Sequence, residues 1–274
     1  MKISEFENKV VYLVGGTSGI GLAIAKQLSA AGAHIMLLAR TQSKLQQAQD
    51  QLTTLAKHDR QKIEYRCLDV SDHRATHTLM NELVSSFGVP NALINCAGRA
   101  IPEHVENISY QQFDDTMKIN LYGCRNTVAA LLPHMKENGG LIVNTSSLAG
   151  VIGVFGYSDY CASKFALIGY SEALRSEVKK YNIKVAVLCP PDTDTPGFEI
   201  ENQTKPAETQ AISQSASLLS SEQVAQAFFK GLRKNKMLIV PGAAGKFNLL
   251  MKRLLPGLVE WVMDREIKKV AEKS

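Results

Sequence analysis

The order of apolar and amphipathic stretches constrains this chain more than any other feature. Apolar runs at 10–14, 35–39, 63–68, 92–95, 141–145, 183–189 and 237–240 alternate with stretches of helical period near 19–31, 43–57, 72–87, 110–136, 159–180 and 221–233. Such alternation predicts an α/β fold, a doubly wound parallel sheet with helices on both faces. The almost purely apolar strands agree, because a sheet of this kind is buried on both sides. A chain of 274 residues suits one large α/β unit, expected over residues 1–245, with a separate basic amphipathic segment over 246–274. Residues 199–220 are polar, weakly periodic and too long for a plain connection. With the break at Pro196-Gly197 they predict a lid or binding loop over 196–220, at the carboxyl end of a strand. Ser220 followed by Gln223 resembles a capping box ahead of the 221–233 helix.

Composition narrows the class further. No run of about 18 uncharged apolar residues occurs, and nine residues precede the first strand, so neither a spanning helix nor a signal peptide is expected. The five cysteines (Cys67, Cys96, Cys124, Cys161, Cys189) are odd in number, widely spaced and without a CxxC pair. They read as reduced thiols of a cytoplasmic protein, with no metal site. The net charge of +5 is uneven: residues 230–274 hold 11 Lys and Arg against 4 Asp and Glu, a surplus of 7, which leaves residues 1–229 at −2. No nucleic-acid-binding motif accompanies that basic tail, and no nucleic-acid partner is expected.

Directly after the first strand comes Gly15-Gly16-Thr17-Ser18-Gly19-Ile20-Gly21 and then a helix. Glycines at 15, 19 and 21 let the backbone turn tightly and approach a pyrophosphate, which then sits at the positive end of the helix. A dinucleotide fold that prefers NAD places an acidic residue at the end of the second strand. This chain has Leu38-Ala39-Arg40-Thr41-Gln42-Ser43-Lys44 there, and the cations Arg40 and Lys44 suit a 2′-phosphate, so NADP(H) is the expected cofactor. Asp69 ends the third strand, where its carboxylate can accept from an adenine amino group or cap a helix.

Tyr160 and Lys164 stand four residues apart at a helix start, on one face. A nearby ammonium should favour the phenolate and lower the Tyr160 pKa, tuning it as a general acid. Ser147 lies just past the fifth strand, Asn95 leaves the fourth at the same sheet edge, and Asn120 lies on the helix that follows. These groups converge with the glycine-rich turn on one crevice.

Over essentially its whole length the chain resembles the short-chain dehydrogenase/reductase family, of Rossmann-type fold. The matching motifs are GGTSGIG at 15–21, LDV at 68–70, NCAG at 95–98, Asn120 in KINLYG, Ser147 and YCASK at 160–164, and Val14 departs from the family's usual Thr. The resemblance implies a catalytic set of Asn120, Ser147, Tyr160 and Lys164. It implies a cofactor site of Gly15, Thr17, Ser18, Gly19, Ile20, Gly21, Arg40, Lys44, Asp69, Val70, Asn95, Tyr160, Lys164 and Thr195. In those roles Tyr160 protonates the developing alkoxide, Ser147 hydrogen-bonds it, Lys164 holds the nicotinamide ribose and Asn120 positions a water. Family relatives are commonly dimers or tetramers, which implies a homo-oligomer.

A narrower resemblance, to the 3-ketodihydrosphingosine reductases, rests on 190–213 (PPDTDTPGFEIENQTKPAETQAIS), LLARTQSKL at 37–45 and GYSDYCASKFAL at 156–167. It implies reduction of the lipid ketone 3-ketosphinganine, with another lipid, steroid or acyl ketone as the alternative and a non-catalytic NADP-binding regulator as the remote one. Asp192 and Asp194 then become candidates for pairing a substrate amine. The tail interleaves Phe247, Leu250, Leu254, Leu255, Leu258, Trp261 and Val262 with Lys and Arg. Two readings stay open for it: peripheral membrane contact, or closure of the core or a subunit contact.

Overall fold

The computed structural model describes residues 1–214 and 218–272. The main strands are β1 (Val10–Val14), β2 (His34–Ala39), β3 (Ile63–Cys67), β4 (Ala92–Asn95), β5 (Gly140–Thr145) and β6 (Ile183–Leu188). Two short strands, β7 (Thr193–Asp194) and β8 (Leu219–Ser220), pair with each other, and β9 (Leu238–Ile239) closes the sheet. The seven-stranded sheet has the order β3-β2-β1-β4-β5-β6-β9, and every pairing in it is parallel. The order reverses between β1 and β4, which opens a crevice at their carboxyl ends.

The helices are α1 (Gly19–Ala30), α2 (Gln42–Thr53), α3 (His73–Ser86), α4 (Tyr110–Met117), α5 (Gly123–Met135) and α6 (Ser158–Val178). They continue as α7 (Pro196–Asn202), α8 (Ala207–Gln214), α9 (Ser221–Arg233), α10 (Ala243–Leu254) and α11 (Pro256–Ala271). The single helix expected over 110–136 is α4 and α5 joined by a π-helical turn, Lys118–Tyr122. A one-residue widening of a turn barely disturbs the apolar period, so the sequence does not announce it.

Successive strand residues serve opposite faces. Leu13, Leu37 and Val143 pack with α1, α2 and α9, while Tyr12, Met36 and Ile142 pack with α3, α5 and α6. Truncating one of these, Leu13→Ala for instance, should cost about 2–5 kcal/mol. The capping box before α9 forms as expected, with Ser220 Oγ accepting from Gln223 N at 3.2 Å and Gln223 Oε1 from Ser220 N at 2.8 Å. The expected lid, 196–220, contains α7, α8 and β8, and its residues 215–217 lie outside the described residues. In the tail, α11 packs against both α8 and α10. Among the described residues no helix is long and apolar enough to cross a membrane.

Candidate active site

A groove of about 380 Å³ runs along the carboxyl edge of the sheet from Arg40, Lys44 and Asp69, past the glycine-rich turn, to Tyr160 and Lys164. The turn fits its sequence closely. Gly15 has φ 81°, and a Cβ there would fall 2.5 Å from Ala97 N. Gly19 has φ 51°, and a Cβ there would fall 2.8 Å from Thr195 Cγ2. Thr17, Ser18, Ile20 and Gly21 line the same groove at the start of α1, as do Val70 and Thr195. Arg40 and Lys44 are exposed and make no salt bridge among the described residues. Burial raises the Asp69 carboxyl, but two bonds from Ser71 and the charge of Arg40 outweigh it and leave the pKa lowered. A glycine cradle at a helix amino terminus, two exposed cations at one end and the Tyr160-Lys164 pair at the other suit a phosphorylated dinucleotide.

Asn95 is a correction to the expected set. Its side chain is 2% exposed and does not line the groove. The amide donates to Asn144 Oδ1 (2.9 Å) and accepts from Thr127 Oγ1 (2.9 Å), and Asn144 in turn donates to Ser171 Oγ (3.0 Å). A buried amide must satisfy its donors and acceptors, and here the protein interior does so.

The catalytic candidates do come together. The Lys164 ammonium is buried, donates to Thr145 O at 2.9 Å, and lies 5.5 Å from the Tyr160 ring centroid. Burial pushes its pKa down. A Cβ on Gly98 would fall 3.2 Å from Asn120 Oδ1 and 3.3 Å from Lys164 Nζ, so both groups close on one backbone site. Asn120 is fully buried in the π-helical turn, where both its amide donors are engaged, with Arg99 O and Ser163 Oγ, each at 3.0 Å. Its Oδ1 accepts from Arg99 N at 2.9 Å. Ser147 caps a 3₁₀ turn through Ala149 N (3.1 Å) and hydrogen-bonds the Tyr160 phenol.

The expected lowering of the Tyr160 pKa is reversed. Burial raises it, the negative charge of Glu201 raises it further, and the Ser147 bond opposes them.

Beside this pair lies a second, larger cavity of about 520 Å³, lined by Ser147 and Tyr160 and then by mostly apolar side chains, among them Ile152, Val154 and Phe198. Phe247, Met251, Leu258 and Met263 from α10 and α11 complete its wall, so the tail helices close this cavity. Of the two aspartates expected near the substrate, Asp192 lines the cavity. Asp194 does not: it is exposed on β7, where its backbone pairs with Ser220. Sequence reasoning missed Glu201 and Tyr157, which line the cavity and hydrogen-bond each other. The spacing of Phe198 and Glu201 on α7 was the available signal, since residues three apart share a helix face.

Residues 9–206 match a family model described as short chain dehydrogenase. The chain is 42% identical, over 80% of its own length and 67% of the relative's, to a protein named 3-ketodihydrosphingosine reductase from Bos taurus. It is 41% identical, over the same shares, to one named 3-dehydrosphinganine reductase from Danio rerio. Among solved structures, that of levodione reductase superposes with a TM-score of 0.79 at 25% identity, covering 88% of this chain and 98% of the other.

Proposed function

Because this chain belongs to the short chain dehydrogenase family, we propose that it is an NADPH-dependent reductase that converts the ketone 3-ketosphinganine to the secondary alcohol sphinganine. The observation that carries the reading is that Tyr160 lines both the glycine-rich groove and the apolar cavity, so one phenol faces a cofactor site and a lipid site at once. The two relatives' names supply the substrate, and the apolar wall is suited to an alkyl chain.

When bound, reduced NADP supplies hydride for the ketone carbon. Tyr160 donates its proton to the carbonyl oxygen, and the Ser147 hydroxyl donates a hydrogen bond to the same oxygen. Lys164 and Thr195 hold the nicotinamide end, the 15–21 turn the pyrophosphate, Asp69 and Val70 the adenine, and Arg40 with Lys44 the 2′-phosphate. Asn120 holds a water, from which the Tyr160 proton is restored by way of Lys164. The exposed Phe113, Tyr122 and Phe165 near α4 and α6 support a homo-oligomer built on that face. Helices α7 and α8, which bring Phe198, Glu201 and Ser213 to the cavity, serve as its lid.

NADPH oxidation followed at 340 nm with 3-ketosphinganine, a steroid ketone and a short-chain ketone tests this. Turnover is expected to be fastest on the long-chain substrate. Preference for the steroid or the short ketone would replace the substrate assignment.

A further inference from the structure

The apolar cavity carries charge that the reduction of a plain ketone does not require. Glu201 on α7 and Asp192 beyond β6 both line it. Lys205 lies within electrostatic range of both, but its ammonium is 3.3 Å from Ser213 Oγ and 3.9 Å from the Phe198 ring centroid. A third lining carboxylate, Glu266, is already paired with Lys269. Among the described residues, two carboxylates therefore face one ammonium, and one negative charge lacks a counter-ion in a largely apolar wall. A half-buried carboxylate in an apolar wall is disfavoured until a cation joins it. Consistent with this, burial pushes the Glu201 carboxyl up.

The position of that charge relative to the chemistry is fixed by two rings. Glu201 accepts from the Tyr157 hydroxyl, and the Tyr157 ring centroid is 5.7 Å from that of Tyr160. The carboxylate thus stands one aromatic ring away from the phenol placed on the carbonyl oxygen. A group attached beside the carbonyl carbon would be brought to it.

We infer that Glu201, together with Asp192, recognises a protonated primary amine on the carbon next to the reacting carbonyl, and so selects long-chain α-amino ketones over plain ketones. This rests on the ketone-reductase reading above. The test compares kcat/KM with NADPH for 3-ketosphinganine and for the same chain with hydrogen in place of the amine. The wild-type protein favours the amine-bearing ketone. In Glu201→Gln the ratio of the two values falls by about 10- to 100-fold, the range expected for a charge-assisted bond, whereas Tyr157→Phe, which keeps the carboxylate, preserves most of it. Equal losses on both ketones in Glu201→Gln, or no wild-type preference, overturn the inference and leave the reductase reading standing. If the wild type reduces neither ketone, it is the reductase reading that fails. The amine site is then judged by calorimetric binding of octadecylamine against octadecanol to the wild-type protein. Amine binding at least about 10-fold tighter supports the inference, and equal binding overturns it.

Discussion

At Tyr160, burial and hydrogen bonding act in opposite directions, and burial prevails. The phenol stays protonated at neutral pH, as an ordinary tyrosine does, and that is the form in which a proton donor to a ketone is useful. Tyr160→Phe keeps the ring beside Tyr157 and removes the proton. Ketone reduction should fall about 10²- to 10⁴-fold while NADPH binding, followed by fluorescence titration, persists; near-normal turnover would refute the role. Arg40 and Lys44 are exposed cations at the far end of the same groove. Replacing either with Ala should raise KM for NADPH about 10-fold and leave KM for NADH nearly unchanged, as measured from initial rates. Equal effects on both cofactors would remove the basis for preferring NADP. Asn95 shows how residue type alone misleads. A polar side chain at a strand's carboxyl end is what a ligand site needs, yet Thr127 and Asn144, 32 and 49 residues away, claim this one.

Elements were legible where their signals are local. The box at Ser220 and Gln223 was readable because both partners sit three residues apart and their bonds close within one turn. Ser220→Ala should lower stability by about 1 kcal/mol, read from the midpoint of urea unfolding, with Ser220→Asn close to wild type. An unchanged midpoint in the alanine variant would mean that α9 is held by packing alone. The π-helical turn at Lys118–Tyr122 was not readable, although it carries Asn120 into contact with Ser163. The 196–220 stretch was legible as a long polar insert, but not as helices, because α7 has seven residues and α8 eight, too short for a clear period.

For the whole molecule, the tail is the part whose meaning changed most. Its helices supply Phe247, Met251, Leu258 and Met263 to the cavity wall, yet Leu250, Leu254, Leu255 and Trp261 remain exposed beside Lys and Arg. That combination supports peripheral contact with an anionic bilayer, from which a lipid substrate could enter directly. Co-sedimentation with anionic vesicles should be salt-sensitive and should weaken several-fold in a Leu254→Ala, Trp261→Ala double variant. No binding at low salt would assign the exposed row to a subunit contact instead. The sequence by itself determined the parallel sheet, the glycine turn, the two cations after the second strand and the Tyr160-Lys164 face, because turn chemistry and apolar period are properties of neighbouring residues. Only the tertiary structure decided that Asn95 is interior, that Glu201 meets Tyr157 across 44 residues of chain, and that the tail walls a cavity. Those outcomes depend on which distant surfaces are left to bury one another, and no local pattern encodes that choice.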